Sequence, residues 1–204
     1  MSWWDASKPI SSRDRTFSAI IEGLVFNCPS CTIKKTKNGQ YPNGKTKYKE
    51  ESHPVSARGT TFRSRGVCKD LLVTVLAQIR RPFAKYGTYS LLKNDDDVEK
   101  KVDQILDSSS LTDPNFELIV FKKCSTMSDT EALYYYIRNA FAHGSFEVKT
   151  LSGGGEKIYL LESKKDDVVK AQMRLKESTL TRYIALSQLD ATQVRALRKP
   201  KKKN

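Results

Sequence analysis

The segment Arg138-Asn-Ala-Phe-Ala-His-Gly144 combines side chains that suit chemistry on a phosphodiester. Arg138 carries a permanent planar cation, which binds a phosphate through a fork of hydrogen bonds. His143 is one of only two histidines in the chain, and an imidazole exchanges protons near neutral pH. Asn139 adds an amide next to the arginine. We therefore interpret Arg138, His143 and Asn139 as a candidate catalytic group.

These residues are predicted to close a helix. Ser128-Asp-Thr-Glu131 is a capping-box pattern for its start, and Gly144 suits a left-handed C-cap at its end. Because each helical residue turns about 100°, one side should face the core: Tyr136, Ile137, Ala140 and Phe141. The opposite side should meet another molecule: Tyr135, Arg138, Asn139 and Ala142.

The spacing within this helix favours a site shared between two copies of the chain. Asn139 and His143 are four residues apart and therefore neighbours, so the amide can orient the imidazole. Arg138 and His143 are five apart, about 140° around the helix. Two copies facing each other across a twofold axis would place two arginines and two histidines in one cleft. A histidine at a helix C-terminus is otherwise often a structural cap, and both interpretations stay open.

The Arg-Asn-x-x-x-His spacing of residues 138–143 resembles the terminal motif of the HEPN superfamily, in particular bacterial toxins and defence proteins. The strand ending Met173-Arg-Leu-Lys-Glu177 and the hairpin before it are similar to an extension in a plasmid-borne branch. The resemblance implies a homodimeric, metal-independent endoribonuclease with Arg138 and His143 as catalytic pair and Asn139 in support. The superfamily also contains non-catalytic RNA-binding or protein-binding modules, which gives the alternative function.

The composition indicates a polyanionic partner. The chain of 204 residues has 36 Lys plus Arg against 23 Asp plus Glu, a net charge of +13. Nucleic acid is the commonest partner of so basic a domain, and RNA follows from a mechanism that uses the 2′-hydroxyl instead of a metal. The predicted RNA-binding residues are Lys34, Lys35, Lys37, Lys45, Lys47, Arg58, Arg63 and Arg65.

Cys28-Pro-Ser-Cys31 has the spacing of half a zinc site. No second pair of the same spacing is present in the sequence, so two ordinary reduced cysteines remain the other interpretation. We expect no cofactor, and no metal beyond this candidate.

The pattern of elements predicts an α+β fold, mostly α, in the form of a HEPN-like helical bundle with a small antiparallel β-sheet after the motif helix. One domain covers residues 1–195. It contains a basic loop or hairpin insertion at 27–65 and a β-meander at 145–175. Residues 196–204 are expected to be a disordered basic tail, because a lysine run cannot form a core.

The sequence offers neither a signal peptide nor an apolar run long enough to span a membrane. We therefore expect a cytoplasmic protein without a membrane partner. The predicted function is RNA cleavage as a toxin or anti-phage effector, and an antitoxin or another regulatory protein is a candidate partner.

Overall fold

A five-stranded mixed β-sheet with helices on both faces organises the computed structural model, which describes residues 14–29, 31–54, 61–93, 95–108, 116–150 and 156–198. Its helices are α1 (Arg15–Ile21), α2 (Lys69–Arg80), α3 (Phe83–Tyr86), α4 (Val98–Ser108), α5 (Asp129–Ala142), α6 (Glu177–Gln188) and α7 (Ala191–Ala196). A π-helical turn (Glu22–Phe26) extends α1, and a 3-10 turn covers Arg63–Arg65. The strands are β1 (Cys31–Gln40), β2 (Thr46–Pro54), β3 (Gly87–Leu92), β4 (Glu117–Lys122), β5 (Phe146–Thr150), β6 (Lys157–Lys165) and β7 (Val168–Lys176).

The strand order in the large sheet is β3-β4-β7-β6-β5. β3 and β4 are parallel, with α4 between them in sequence, and the other neighbours are antiparallel. At Gly87 the two parallel strands approach so closely that a Cβ would lie 2.3 Å from the carbonyl oxygen of Glu117. Glycine is therefore required where β3 begins.

Alternate residues of β4 enter two separate cores. Ile119 and Phe121 belong to the larger one, which contains residues of α2, α5 and α6. Leu118 and Val120 belong to the smaller one beneath α4. Because both faces of β4 are buried, its sequence is a continuous apolar run without the alternation of a half-exposed strand.

The predicted helical bundle with a small antiparallel sheet after the motif helix is wrong. The three strands expected at 145–175 are β5, β6 and β7, but they form only part of a mixed sheet that also contains β3 and β4. The apolar run at residues 116–121 fits a helix or a strand equally well from its sequence, and no local pattern predicts a strand at β3. Helices pack against both faces of this sheet, in the larger and the smaller core, so the fold is α+β without being mostly α.

Candidate functional site

The motif helix α5 begins at the predicted capping box. The hydroxyl oxygen of Ser128 accepts a hydrogen bond from the backbone N–H of Glu131 at 3.3 Å. In return the Glu131 carboxylate accepts from the backbone N–H of Ser128 at 3.0 Å. The capping box is confirmed, and it satisfies donors that the first helical turn leaves without partners.

The motif helix ends as the sequence predicts. Ala142 is its last residue, His143 is the C-cap, and Gly144 takes the left-handed conformation at φ 68°. The backbone N–H of Ser145 donates to the carbonyl of Ala140 at 2.8 Å, a bond of the Schellman type. The carbonyl of Ser145 then accepts from the backbone N–H of Glu162 in β6 at 2.9 Å. The helix end is thus tied directly to the sheet.

The predicted core face of the motif helix is confirmed, and part of the predicted open face is wrong. Tyr136, Ile137, Ala140 and Phe141 are buried as expected. Asn139 was expected to be open, yet only 9% of it is exposed. The reason is that α5 packs on β6, a contact that the helical period alone does not reveal.

Arg138 is half-buried and lies against Asn139. Its Nη1 donates to the amide oxygen of Asn139 at 3.3 Å. Its Nε is buried and finds no hydrogen-bond acceptor within the structure as described. A buried donor without an acceptor costs about 1–3 kcal/mol.

His143 is exposed at the end of the motif helix. Over the described ranges, no hydrogen bond joins its imidazole to Arg138 or Asn139. The expected role of the Asn139 amide in orienting the imidazole is therefore not observed, because the amide oxygen faces Arg138 instead. His143 follows Asn139 by one helical turn, about 6 Å along the axis.

A basic cavity of about 260 Å³, hereafter the lysine cleft, lies beside Asn139. Its lining contains no carboxylate: Lys122, Lys123, Cys124, Ser125, Tyr135, Tyr136, Asn139, Ser163, Lys164, Lys165 and Lys170. A cleft lined by charges of one sign concentrates ions of the opposite sign. The arrangement is suited to an anion of the size of a phosphate group with part of a nucleotide.

The topology of the sheet brings the lysines together. β4 and β6 both run antiparallel to β7, which lies between them, so their C-terminal ends share one edge of the sheet. Lys122 and Lys123 stand at the end of β4, and Lys164 and Lys165 at the end of β6. Sequence reasoning missed all four, although each pair follows an apolar strand run.

One lysine of the cleft already has a carboxylate partner. Lys164 Nζ lies 2.8 Å from Oε1 of Glu162, and this hydrogen bond raises the pKa of Lys164. The other carboxylate oxygen of Glu162 accepts from Nε2 of Gln172 at 2.8 Å. For Lys123, Lys165 and Lys170 no ion pair is seen in the described segments. These three cations are the ones that can each bind a phosphate.

Two tyrosines of the motif helix form the aromatic wall of the lysine cleft. The hydroxyl of Tyr136 donates to the carbonyl of Lys122 at 3.3 Å, and burial raises the pKa of this phenol. The ring of Tyr135 is half-buried and lies edge-on to Tyr136, with centroids 5.4 Å apart. Tyr135 therefore offers aromatic surface next to the lysines, where a base can stack.

The predicted RNA-binding residues are spread over several elements. Lys37, Lys45 and Lys47 lie on the β1–β2 hairpin or its turn, and Arg63 and Arg65 lie on the 3-10 turn. Lys34 and Lys35 belong to β1, but their side chains are outside the described part, as is the whole of Arg58. None of the described members lines the lysine cleft.

The candidate zinc pair is not assembled by the residues that can be described. Cys28 is buried in the larger core, and Cys31 begins β1 with its side chain outside the described part. Among the described residues, no group of three or more potential metal ligands is close enough to hold an ion.

No protein-family model, curated protein or solved structure matches this chain. Within the described segments, no helix combines the length and the apolar character needed to cross a lipid bilayer.

Proposed function

We propose that this protein is a metal-independent endoribonuclease that binds RNA in the lysine cleft and cleaves it with Arg138 and His143. The observation that carries the proposal is the position of Asn139. Its amide lines the cleft and accepts a hydrogen bond from Arg138. A phosphate held by the lysines would thus lie beside the guanidinium, with His143 one turn further along the same helix.

The reaction needs one base, one acid and a cation. The imidazole of His143 removes the proton of a ribose 2′-hydroxyl, and the 2′-oxygen forms a bond to phosphorus. The bond from phosphorus to the 5′-oxygen breaks, and that oxygen takes a proton from an acid. Arg138 stabilises the additional negative charge of the phosphate in the transition state. The products are a 2′,3′-cyclic phosphate and a 5′-hydroxyl end.

A second copy of the chain supplies the acid in this proposal. The exposed position of His143 at a helix end allows it to approach the same residue of a partner across a twofold axis. One imidazole then acts as base and the other, in its protonated form, as acid. The HEPN resemblance contributes the motif only, since the helical-bundle fold was wrong.

The proposal places the enzyme in the cytoplasm as a toxin or anti-phage effector, where an antitoxin or other regulator would restrain it. Single-stranded or looped RNA is the substrate, because cleavage through the 2′-hydroxyl requires a flexible ribose–phosphate backbone and the cleft's aromatic wall favours unpaired bases.

The test is cleavage of a labelled single-stranded RNA in excess EDTA, with analysis of the product ends. We expect cyclic phosphate ends and a rate lowered at least 100-fold by His143→Ala, since general acid–base groups contribute about 10²–10⁴-fold. Arg138→Lys should also lower the rate, because lysine lacks the planar fork. Gln188→Ala, at the exposed end of α6, is the matched control. Full activity of His143→Ala, or loss of cleavage in EDTA, would refute the mechanism.

A non-catalytic RNA-binding module is the second candidate function. It is favoured by one observation, that neither Arg138 nor His143 lines the lysine cleft. It predicts RNA binding that weakens with salt and no cleavage by the wild-type protein under any of the conditions above. In that case the motif helix serves binding or dimer formation.

A further inference from the structure

The distal half of the β1–β2 hairpin has two open faces, and we call this part the ribbon (residues 36–49). Tyr41 is 51% exposed and Tyr48 57% exposed, which makes them two of the most exposed aromatic residues described. Single exposed rings do not form an apolar patch, but each of these two is available to stack on a planar partner. The ribbon is therefore suited to a partner that offers planar aromatic surface.

The register of the strands places one tyrosine on each face of the ribbon. Tyr48 is directly opposite Lys37, and residues paired across two strands share a face. Lys47 directly precedes Tyr48 in β2, so it belongs to the opposite face of the ribbon. Its Nζ lies 4.7 Å from the centroid of the Tyr41 ring. Each face thus presents an aromatic ring with a lysine beside it.

The turn of the hairpin holds Tyr41 in a fixed position. Its backbone N–H donates to the carbonyl of Lys45 at 2.8 Å, and its carbonyl accepts from the N–H of Gly44 at 2.9 Å. Gly44 has φ +79°, a conformation suited to glycine. The backbone of Tyr41 is therefore held by the hydrogen bonds of a closed turn.

The charge of the ribbon selects the class of partner. Between Thr36 and Lys49 the sequence contains four lysines (37, 45, 47 and 49) and no acidic residue. A partner must therefore combine a row of negative charges with planar apolar surfaces. Single-stranded nucleic acid has both, whereas a duplex hides its base faces and a lipid surface lacks them.

We propose that the ribbon is a second RNA-binding surface, on which Tyr41 and Tyr48 stack with unpaired bases while the adjacent lysines bind the phosphates. This inference rests on the proposed function only for the identity of the ligand as RNA. It requires no cleavage, because the ribbon is separate from the lysine cleft. The ribbon would give affinity for single strands.

The experiment is equilibrium binding of a fluorescent 2′-O-methyl 12-mer, which has no 2′-hydroxyl to react. Tyr48→Ala and Tyr41→Ala should each weaken binding on the order of 10-fold, the effect of losing one stacked base. Tyr48→Phe should bind like the wild type, because the ring is retained. The matched control is Tyr86→Ala on α3, a tyrosine 47% exposed whose ring centroid lies 4.7 Å from Nζ of Lys85.

Several outcomes would overturn the proposal. Unchanged single-strand affinity in the double variant Tyr41→Ala/Tyr48→Ala would show that the rings bind no base. If the variants lose as much affinity for a duplex of the same length as for the single strand, the ribbon binds phosphates alone and no bases. Stronger binding to anionic phospholipid vesicles than to the 12-mer would assign the surface to membranes. If cleavage fails in EDTA but these variants still lose affinity, the nuclease proposal is refuted and the ribbon proposal remains.

Discussion

The salt dependence of RNA binding gives the sharpest test of the lysine cleft. Lys123, Lys165 and Lys170 line the cleft. If each neutralises one phosphate of a single strand, together they contribute about 2 to the slope of log K against log salt, since each phosphate contributes about 0.7. Between 50 and 200 mM salt they would then account for about a 15-fold loss of affinity. The triple variant Lys123→Gln/Lys165→Gln/Lys170→Gln should lack this part of the salt response.

The assay is fluorescence anisotropy of the uncleavable 12-mer over a series of NaCl concentrations. The control triple variant Lys85→Gln/Lys100→Gln/Arg195→Gln removes the same charge from exposed positions outside the cleft. It should keep a slope close to that of the wild type. An unchanged slope in the cleft variant, or equal changes in both variants, would refute the assignment of phosphate binding to the cleft.

Three further predictions concern stability and are measured by urea unfolding. Gly87→Ala should lower the free energy of unfolding by about 1–3 kcal/mol or more, because the new Cβ overlaps the carbonyl of Glu117; an unchanged midpoint would contradict the close approach. Ser128→Ala should lower the free energy of unfolding by about 0.5–2 kcal/mol, because the helix loses its cap. Ser128→Thr should retain most of the stability, because threonine keeps the capping hydroxyl. The hydrogen bond from Lys157 lowers the pKa of Asp14. The ionised Asp14 side chain therefore stabilises the fold fully above pH about 4, and this stabilisation is lost as the pH falls further. Asp14→Asn should remove this acid-dependent part of the stability, and an unaltered acid profile in the variant would contradict the prediction.

Local signals made part of the fold predictable from the sequence. The capping box at Ser128 and the C-cap at Gly144 depend on residues within one helical turn, and both were predicted correctly. The β1–β2 hairpin lies within residues 27–65, where a basic loop or hairpin was predicted. The mixed sheet was not, because β3 and β4 are parallel partners that α4 separates in the chain. No local pattern specifies such a pairing.

The candidate site was predictable to the same extent. Arg138, Asn139 and His143 stand out by residue type, and the structure brings Arg138 and Asn139 into contact. The lysine cleft could not be predicted, because Lys122 and Lys164 meet only through the order of the strands in the sheet. Asn139 was expected to be open for a related reason, since the helical period does not show that the motif helix packs on β6.

The junction between the motif helix and β6 has a mechanical consequence. The Ser145 carbonyl is held by the backbone of Glu162, so the chain that carries His143 continues into the sheet without a flexible joint. The imidazole can rotate about its own bonds, but its Cα cannot travel unless the hydrogen-bonding of β5 to β6 is disrupted. In the proposed reaction, the motion that brings histidine and phosphate together would therefore be made by the RNA or by the second copy of the chain, and not by a loop of this protein.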